Sequence, residues 1–144
     1  HPNTILFAED NFLTRVDGEI DVRKETALVV CHLIGGRLSG TACGDSHVFT
    51  VTECLTERCP RFRMGGRAFD DSRSVEGVFE AGLEVGSRLA VVSNGVWEYQ
   101  PREEIARTLR ESFFESVAHD LIWRAAPEGR WADDTTAVVV EIKE

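Results

Sequence analysis

The stretch Leu89-Ala90-Val91-Val92-Ser93-Asn94-Gly95-Val96 decides the fold, because a short apolar run ends in a polar turn that contains glycine. Such a run, bounded by turn residues, predicts a buried strand that presents Asn94 at its end. The polar turn 132–135 leads into a second apolar run at 136–142. We expect adjacent core strands to hold the two turns side by side. Carboxylate and amide oxygens bind hard divalent ions, so the pair predicts a metal site to which Asn94 brings no charge.

Length and composition indicate a single domain spanning residues 1–144. A chain of this size buries roughly 70% of its unfolded surface, which is enough for a core without disulfides. With 42% hydrophobic and 28% charged residues, and no apolar stretch near the roughly 18 residues that cross a bilayer, the sequence predicts a soluble globular protein without a membrane span. Because the chain begins with His1-Pro2 and not with Met, we expect it to be part of a longer polypeptide.

The charge and the cysteines narrow the function classes. The net charge is −9, from 25 acidic and 16 basic residues, which argues against a binder of nucleic-acid phosphates. The acidic excess suits divalent cations, although a solvated acidic surface is the commoner explanation for it. Four cysteines without a C-x-x-C pair give little support for zinc. We interpret them as reduced thiols, which favours a cytoplasmic location.

The first half of the chain predicts mainly strands. A strand is expected at Thr4–Ala8, and Gly35-Gly36 predicts the turn of a hairpin between residues 26–33 and 37–43. Residues 47–52 alternate between apolar and polar side chains, as a half-buried strand does. We therefore expect three successive antiparallel strands. Residues 53–87 contain one proline and many glycines, and predict a variable loop followed by short strands.

The second half predicts a helix and a final strand. Pro101 is typical of a first helical position, and Glu103 and Glu104 complement the positive end of the helix. Apolar residues recur every four positions through Trp123, with a break expected near Glu111; they are Ile105, Leu109, Phe113, Val117 and Leu121. This stripe predicts a core-facing surface. The run 137–140 is apolar on both faces, so we expect it to be a central strand.

Four motifs occur in the order found in the metal-dependent serine/threonine protein phosphatases of type 2C, the PPM family. Residues 24–27 (Lys-Glu-Thr-Ala) resemble the family's Gly-Ser-Thr-Ala, and residues 44–47 (Gly-Asp-Ser-His) resemble its Gly-Asp-Ser-Arg. Residues 93–97 resemble its Ser-Asp-Gly followed by an aromatic, with Asn94 in place of the aspartate. Residues 133–138 resemble the Asp-Asn or Asp-Asp that precedes the closing strand. Each motif falls on a strand end that the residue pattern predicts independently.

The resemblance implies an α+β fold of two stacked antiparallel sheets flanked by helices, with two Mn²⁺ or Mg²⁺ ions at one edge. Carried over to this sequence, Asp133 is the best metal ligand, and Asn94 occupies a ligand position with a neutral amide. We interpret Asp45 as a turn residue outside the metal-binding set. Alternatively, Asp133 only bonds the backbone of its own turn.

The family's first Asp-Gly motif and the two helices that follow it have no full counterpart in this sequence. Asp17-Gly18 is the available pair, and only seven residues separate Gly18 from Thr26. The resemblance makes the Asp17 carboxylate and the Gly18 carbonyl the remaining candidate ligands, with a simple hairpin turn as the alternative. We expect a truncated or reduced form of the fold.

The resemblance implies hydrolysis of phosphoserine or phosphothreonine in a phosphorylated protein by a metal-activated water, without a covalent intermediate on the enzyme. The substitution at Asn94 and the incomplete first motif support an alternative, a catalytically impaired phosphatase-like module that regulates or binds another protein. A third possibility is an unrelated α+β ligand-binding domain, for which the ordered motifs would be accidental.

Overall fold

The structure, a computed structural model, describes residues 3–12, 24–43, 45–52, 55–57 and 77–144. Within these segments, eight strands form two antiparallel sheets of four strands each, and three helices follow the seventh strand. The strands are β1 (Asn3–Phe12), β2 (Lys24–Ile34), β3 (Arg37–Cys43), β4 (His47–Val51), β5 (Leu55–Glu57), β6 (Gly77–Gly82), β7 (Arg88–Val92) and β8 (Ala137–Glu141). The helices are α1 (Asn94–Trp97), α2 (Arg102–Glu111) and α3 (Phe114–Arg124), and a 3-10 turn follows at Pro127–Gly129.

The first sheet has the strand order β1-β2-β3-β6. The predicted hairpin is confirmed, because Ile34 pairs with Arg37 across Gly35 and Gly36. Both glycines have positive φ angles, 52° and 77°, a backbone conformation that disfavours any residue with a Cβ. β1 extends beyond the predicted Thr4–Ala8 at both ends.

The second sheet has the order β5-β4-β7-β8. β4 therefore does not continue the β2–β3 hairpin, as the expected series of three strands suggested. It pairs instead with β7, where His47 lies opposite Val92. Alternation of apolar and polar residues fixes which face of a strand is buried, but it does not determine which sheet the strand joins.

Two apolar layers hold the fold together. One lies between the sheets, and the other lies between the second sheet and the helices. The first layer includes Val29, Cys31 and Leu38 from one sheet and Val48, Leu89 and Val91 from the other. The second layer includes Phe49, Ala90, Val92, Ile105, Leu109 and Leu121. The second sheet is thus covered on both faces, which is why β7 and β8 are apolar at successive positions.

β8 lies at the edge of the second sheet as far as the described strands go, with β7 as its neighbour. The prediction of a central position was therefore wrong. Val138 and Val140 pack into the layer between the sheets, whereas Ala137 and Val139 pack towards the helices. An apolar run reports burial above and below the strand, and it carries no information on how many strands lie beside it.

The predicted helical segment is confirmed with the expected break, because α2 ends at Glu111 and α3 begins at Phe114. Pro101 precedes α2 as its N-cap instead of forming its first residue. Four members of the apolar stripe are buried, but Phe113 is 82% exposed, since it lies between the two helices where the periodicity is interrupted. None of the helices in the described segments has the length and apolar composition needed to span a bilayer.

Candidate active site

The ends of β7 and β8 bring the two polar turns together. Val92, the last residue of β7, pairs with Ala137, the first residue of β8, so the segments just outside the sheet are neighbours. The Ser93 N–H donates to the Thr136 carbonyl oxygen (3.0 Å), and the Thr136 N–H donates to the Ser93 hydroxyl oxygen (2.9 Å). The same hydroxyl donates to the Asp134 carbonyl oxygen (3.2 Å). Ser93 is fully buried, so the turn that carries Asp133 is fastened to the end of β7 from inside the protein.

The tight turn predicted at Ser93-Asn94-Gly95-Val96 is the beginning of the short helix α1. Gly95 is required here because a Cβ atom at this position would overlap the Asp134 carbonyl oxygen. The close approach of the two backbones leaves Asn94 and Asp133 on opposite sides of one narrow junction.

Asn94 and Asp133 are directly hydrogen-bonded. The Asn94 Nδ2 donates to Asp133 Oδ2 at 3.0 Å. Each side chain also binds its own turn, because the Gly95 N–H donates to Asn94 Oδ1 (2.9 Å) and the Asp134 N–H donates to Asp133 Oδ1 (2.8 Å). The Gly95 N–H needs an acceptor, which fixes the orientation of the Asn94 amide and leaves its NH₂ group to face the carboxylate.

Asp45 lies at the same edge of the sheet, since β4 begins at His47 beside the end of β7. Burial and the negative charge of Asp133 raise the pKa of Asp45, while a hydrogen bond to its own backbone opposes them. The negative charge of Asp133 therefore disfavours ionisation of Asp45.

Trp97 connects the Asp45 turn to α1. Its indole Nε1–H donates to the Asp45 carbonyl oxygen at 2.8 Å. The ring also stacks on buried His47, with ring centroids 3.8 Å apart and an interplanar angle of 21°. The short helix α1 therefore begins at Asn94 and ends at Trp97, whose side chain positions Asp45.

The structure describes only some of the site residues predicted from the sequence. Asn94 and Asp133 are brought together as expected, whereas Asp17 and Gly18 lie outside the described residues. Asp45 had been set aside as a turn residue, and its electrostatic contact with Asp133 was missed. The Gly44–His47 motif was the signal that could have identified it. Trp97 and His47 were also missed as supports of this turn.

The oxygen atoms at this junction are of the chemical type that Mn²⁺ or Mg²⁺ binds. Asp45 and Asp133 supply two carboxylates, and Asn94 could add an amide oxygen. No group of three or more His, Cys, Asp or Glu side chains within the described segments is arranged to hold a metal ion. A second ion would need ligands from elsewhere in the chain, for which Asp17 and Gly18 are the candidates.

No family model and no curated protein matches this sequence. Solved structures do match it. The catalytic domain of the serine/threonine phosphatase PstP, in complex with two manganese ions, is 21% identical with a TM-score of 0.72 over 85% of this chain and 60% of that one. The chain has the fold of the PPM-type phosphatases.

Two further PPM-type structures agree. The Mycobacterium tuberculosis phosphatase PstP/Ppp is 20% identical, with a TM-score of 0.74 over 89% of this chain and 64% of that one. The S. agalactiae serine/threonine phosphatase is 18% identical, with a TM-score of 0.71 over 88% of this chain and 63% of that one. The predicted sandwich of two sheets is confirmed, and the chain spans 60–64% of the length of these three proteins.

Proposed function

We propose that the chain is a phosphatase domain that hydrolyses phosphoserine or phosphothreonine in a phosphorylated protein, with a metal-activated water as nucleophile. The observation that supports this proposal is the meeting of three turns at one sheet edge, namely those of Asp45, Asn94 and Asp133. In sequence these turns resemble PPM motifs, and the fold that carries them is that of PPM-type phosphatases.

The proposed ligands of Mn²⁺ or Mg²⁺ are Asp133 and Asn94, with Asp17 and the Gly18 carbonyl for a second ion. When bound, such ions acidify a water and neutralise the charge of a phosphate. Asp45 belongs to the same acidic edge, and its pKa is raised mainly by burial and also by the negative charge of Asp133. Ser93 holds Asp133 in place through the Asp134 and Thr136 backbone.

The proposal also covers the partner, the domain organisation and the location of the protein. A phosphorylated protein is the expected partner, and residues 1–144 are the expected single domain. A cytoplasmic location is supported by Cys31, a buried thiol that forms no disulfide.

Hydrolysis of p-nitrophenyl phosphate and of a phosphothreonine peptide, with Mn²⁺ and with EDTA, tests the activity. We expect Mn²⁺-stimulated turnover that Asp133→Ala lowers by about 100-fold or more, since even outer-shell partners of metal ligands cost roughly 10- to 100-fold. Asp134→Ala is the matched control, because the hydrogen bonds that join Asp134 to Ser93 and to Asp133 use its backbone atoms. Equal activity of the two variants would refute the assignment of Asp133.

A second candidate is a phosphatase-like module that regulates or binds a protein without turnover. It is favoured by one observation, the Asn94 amide that donates to Asp133 where a cation would otherwise be needed. Asn94→Asp separates the two candidates. A rise in Mn²⁺-dependent turnover supports the enzyme, whereas no turnover in either protein, with or without metal, supports the binding module.

A further inference from the structure

The Asn94–Asp133 hydrogen bond, called here the amide bridge, links the α1 turn to the β8 turn. Four side-chain atoms take part, two from Asn94 and two from Asp133. Asn94 Oδ1 and Asp133 Oδ1 each accept a backbone N–H of their own turn, and Asn94 Nδ2 donates to Asp133 Oδ2 across the junction. Each of these side-chain atoms therefore has a partner within the protein.

An aspartate at position 94 could not make this arrangement. Its second oxygen would face Asp133 Oδ2 at the 3.0 Å now spanned by the amide bridge, and two carboxylates at that distance repel unless a cation or a proton lies between them. The amide of Asn94 replaces the repulsion with a hydrogen bond to a charged acceptor, which is among the stronger kinds.

We infer that the Asn94 amide takes the place of a cation at this junction, so that the two turns are assembled without metal and a divalent ion must compete for Asp133. An ion that bridges the two side chains must take the place of the Asn94 N–H that now lies between them. Asn94 Oδ1 already accepts the Gly95 N–H, so a ligand bond from this oxygen would use its second lone pair. Metal binding between Asn94 and Asp133 therefore costs the amide bridge. The inference concerns the site of the proposed function, but it is tested without substrate.

The decisive test exchanges the amide and the carboxylate between positions 94 and 133. Asn94→Asp alone brings two carboxylates together, whereas the double variant N94D/D133N restores a carboxylate–amide pair in the reverse sense. In the double variant the carboxylate at position 94 can accept the Gly95 N–H, and the amide at position 133 can accept the Asp134 N–H and donate across the junction. The melting temperature of each protein is measured in EDTA and in Mn²⁺, and Mn²⁺ binding is measured from the loss of its free electron paramagnetic resonance signal.

We expect Mn²⁺ to raise the melting temperature of the wild type by less than it raises that of Asn94→Asp. In EDTA we expect Asn94→Asp to melt about 3–6 °C below the wild type, since a local perturbation of about 1–2 kcal/mol shifts the melting temperature of a domain of this size by that amount. Mn²⁺ should restore the melting temperature of this variant. Its Mn²⁺ affinity should exceed that of the wild type by on the order of tenfold. N94D/D133N should regain the wild-type stability in EDTA, and Asp134→Asn, the control in the same turn, should match the wild type in both buffers.

Two results would overturn the inference: a wild type whose stability depends on Mn²⁺ as strongly as that of Asn94→Asp, or a double variant as unstable in EDTA as the single one. Should Asn94→Asp fail to fold, Asn94→Leu keeps the inference open to refutation. This variant has a similar shape without donor or charge, and it must lose stability equally in both buffers. An absence of turnover in every protein would refute the proposed phosphatase activity, but it would not contradict the inference that the Asn94 amide replaces a cation. Conversely, Mn²⁺-dependent turnover of Asn94→Asp with no effect of Mn²⁺ on its stability would refute the amide bridge alone.

Discussion

Ser93 and Thr136 are joined by two hydrogen bonds, one from the Ser93 N–H to the Thr136 carbonyl oxygen and one from the Thr136 N–H to the Ser93 hydroxyl. Ser93→Ala removes the hydroxyl, which leaves the Thr136 N–H without its acceptor and the Asp134 carbonyl without its donor. We expect the free energy of unfolding to fall by about 1–3 kcal/mol, the usual effect of a buried polar group that loses its partner. Urea denaturation measures it.

Thr136→Ala is the matched control for Ser93, because the Thr136 side chain is exposed and both hydrogen bonds use its backbone. It should change the unfolding free energy by less than about 0.5 kcal/mol, as exposed substitutions usually do. If Ser93→Ala were no more destabilising than Thr136→Ala, the Ser93 hydroxyl would not be what fastens the Asp133 turn.

Gly95 permits the close approach of α1 to the Asp133 turn. In Gly95→Ala the new Cβ meets the Asp134 carbonyl oxygen, a backbone atom that cannot swing away as a flexible side chain would. We expect a loss of about 1–3 kcal/mol in unfolding free energy, as for overpacking of a filled site. Gly82→Ala is the control, since no atom lies within 4 Å of a Cβ at that position. Thermal unfolding of both variants checks this, and equal melting temperatures would contradict it.

The pairing of Asn94 with Asp133 could be predicted from sequence because two apolar runs that end and begin in polar turns are natural neighbours in an antiparallel sheet. The hairpin around Gly35-Gly36 and the break between α2 and α3 were predictable for the same kind of reason, since they depend on local residue pattern. The direction of the Asn94 amide was not predictable, because it depends on the Gly95 N–H and the Asp133 carboxylate together.

Features that depend on non-local geometry were missed or predicted wrongly. The edge position of β8 follows from strand order, which the apolar run 137–140 does not encode. The role of Asp45 depends on its nearness to Asp133, a residue far away in sequence, and on the Trp97 indole that holds its carbonyl. Neither relationship produces a periodic pattern in the sequence. Motif order alone could have grouped Asp45 with the site.

Arg88 ties the second sheet to the break between the helices. Its Nε donates to Glu141 Oε2 (2.9 Å), and its Nη1 donates to the carbonyl oxygens of Leu109 (2.8 Å) and Ser112 (2.7 Å). The side chain is 13% exposed, so the charge depends on these partners. Lysine cannot reproduce the fork of a guanidinium. We expect Arg88→Lys to lower the unfolding free energy by about 2–4 kcal/mol, as the loss of a largely buried, charged hydrogen-bond network does.

Arg37→Lys is the control for Arg88, because the Arg37–Glu80 pair is 3.6 Å apart and its side chains are 76% and 65% exposed. An exposed pair contributes about 0–1 kcal/mol, so this variant should unfold close to the wild type. Urea denaturation of both variants at low and at high salt makes the comparison. Similar losses for the two arginines would show that the Arg88 contacts with α2 do not stabilise the fold.

Cys31 makes the stability of the fold sensitive to alkaline pH. It is fully buried in the layer between the sheets, and burial raises the pKa of its thiol from 9.0 to about 11. The folded protein therefore holds this proton more tightly than the unfolded chain does. The contribution to stability is fully present below the unfolded pKa and is lost as the pH rises through the folded one. A shift of this size corresponds to about 2–3 kcal/mol.

Comparison with Cys31→Ala isolates this effect, because the other titrating groups are common to both proteins. The difference in unfolding free energy between them should stay constant from about pH 7 to 8.5 and change by about 2 kcal/mol towards pH 11, in the direction that disfavours the wild type. Native Cys31 should also resist alkylation by iodoacetamide at about pH 8, since only the thiolate reacts. A difference that stays constant to alkaline pH, or rapid alkylation of Cys31 itself in the folded protein, would show that the Cys31 thiol ionises as readily in the core as in water.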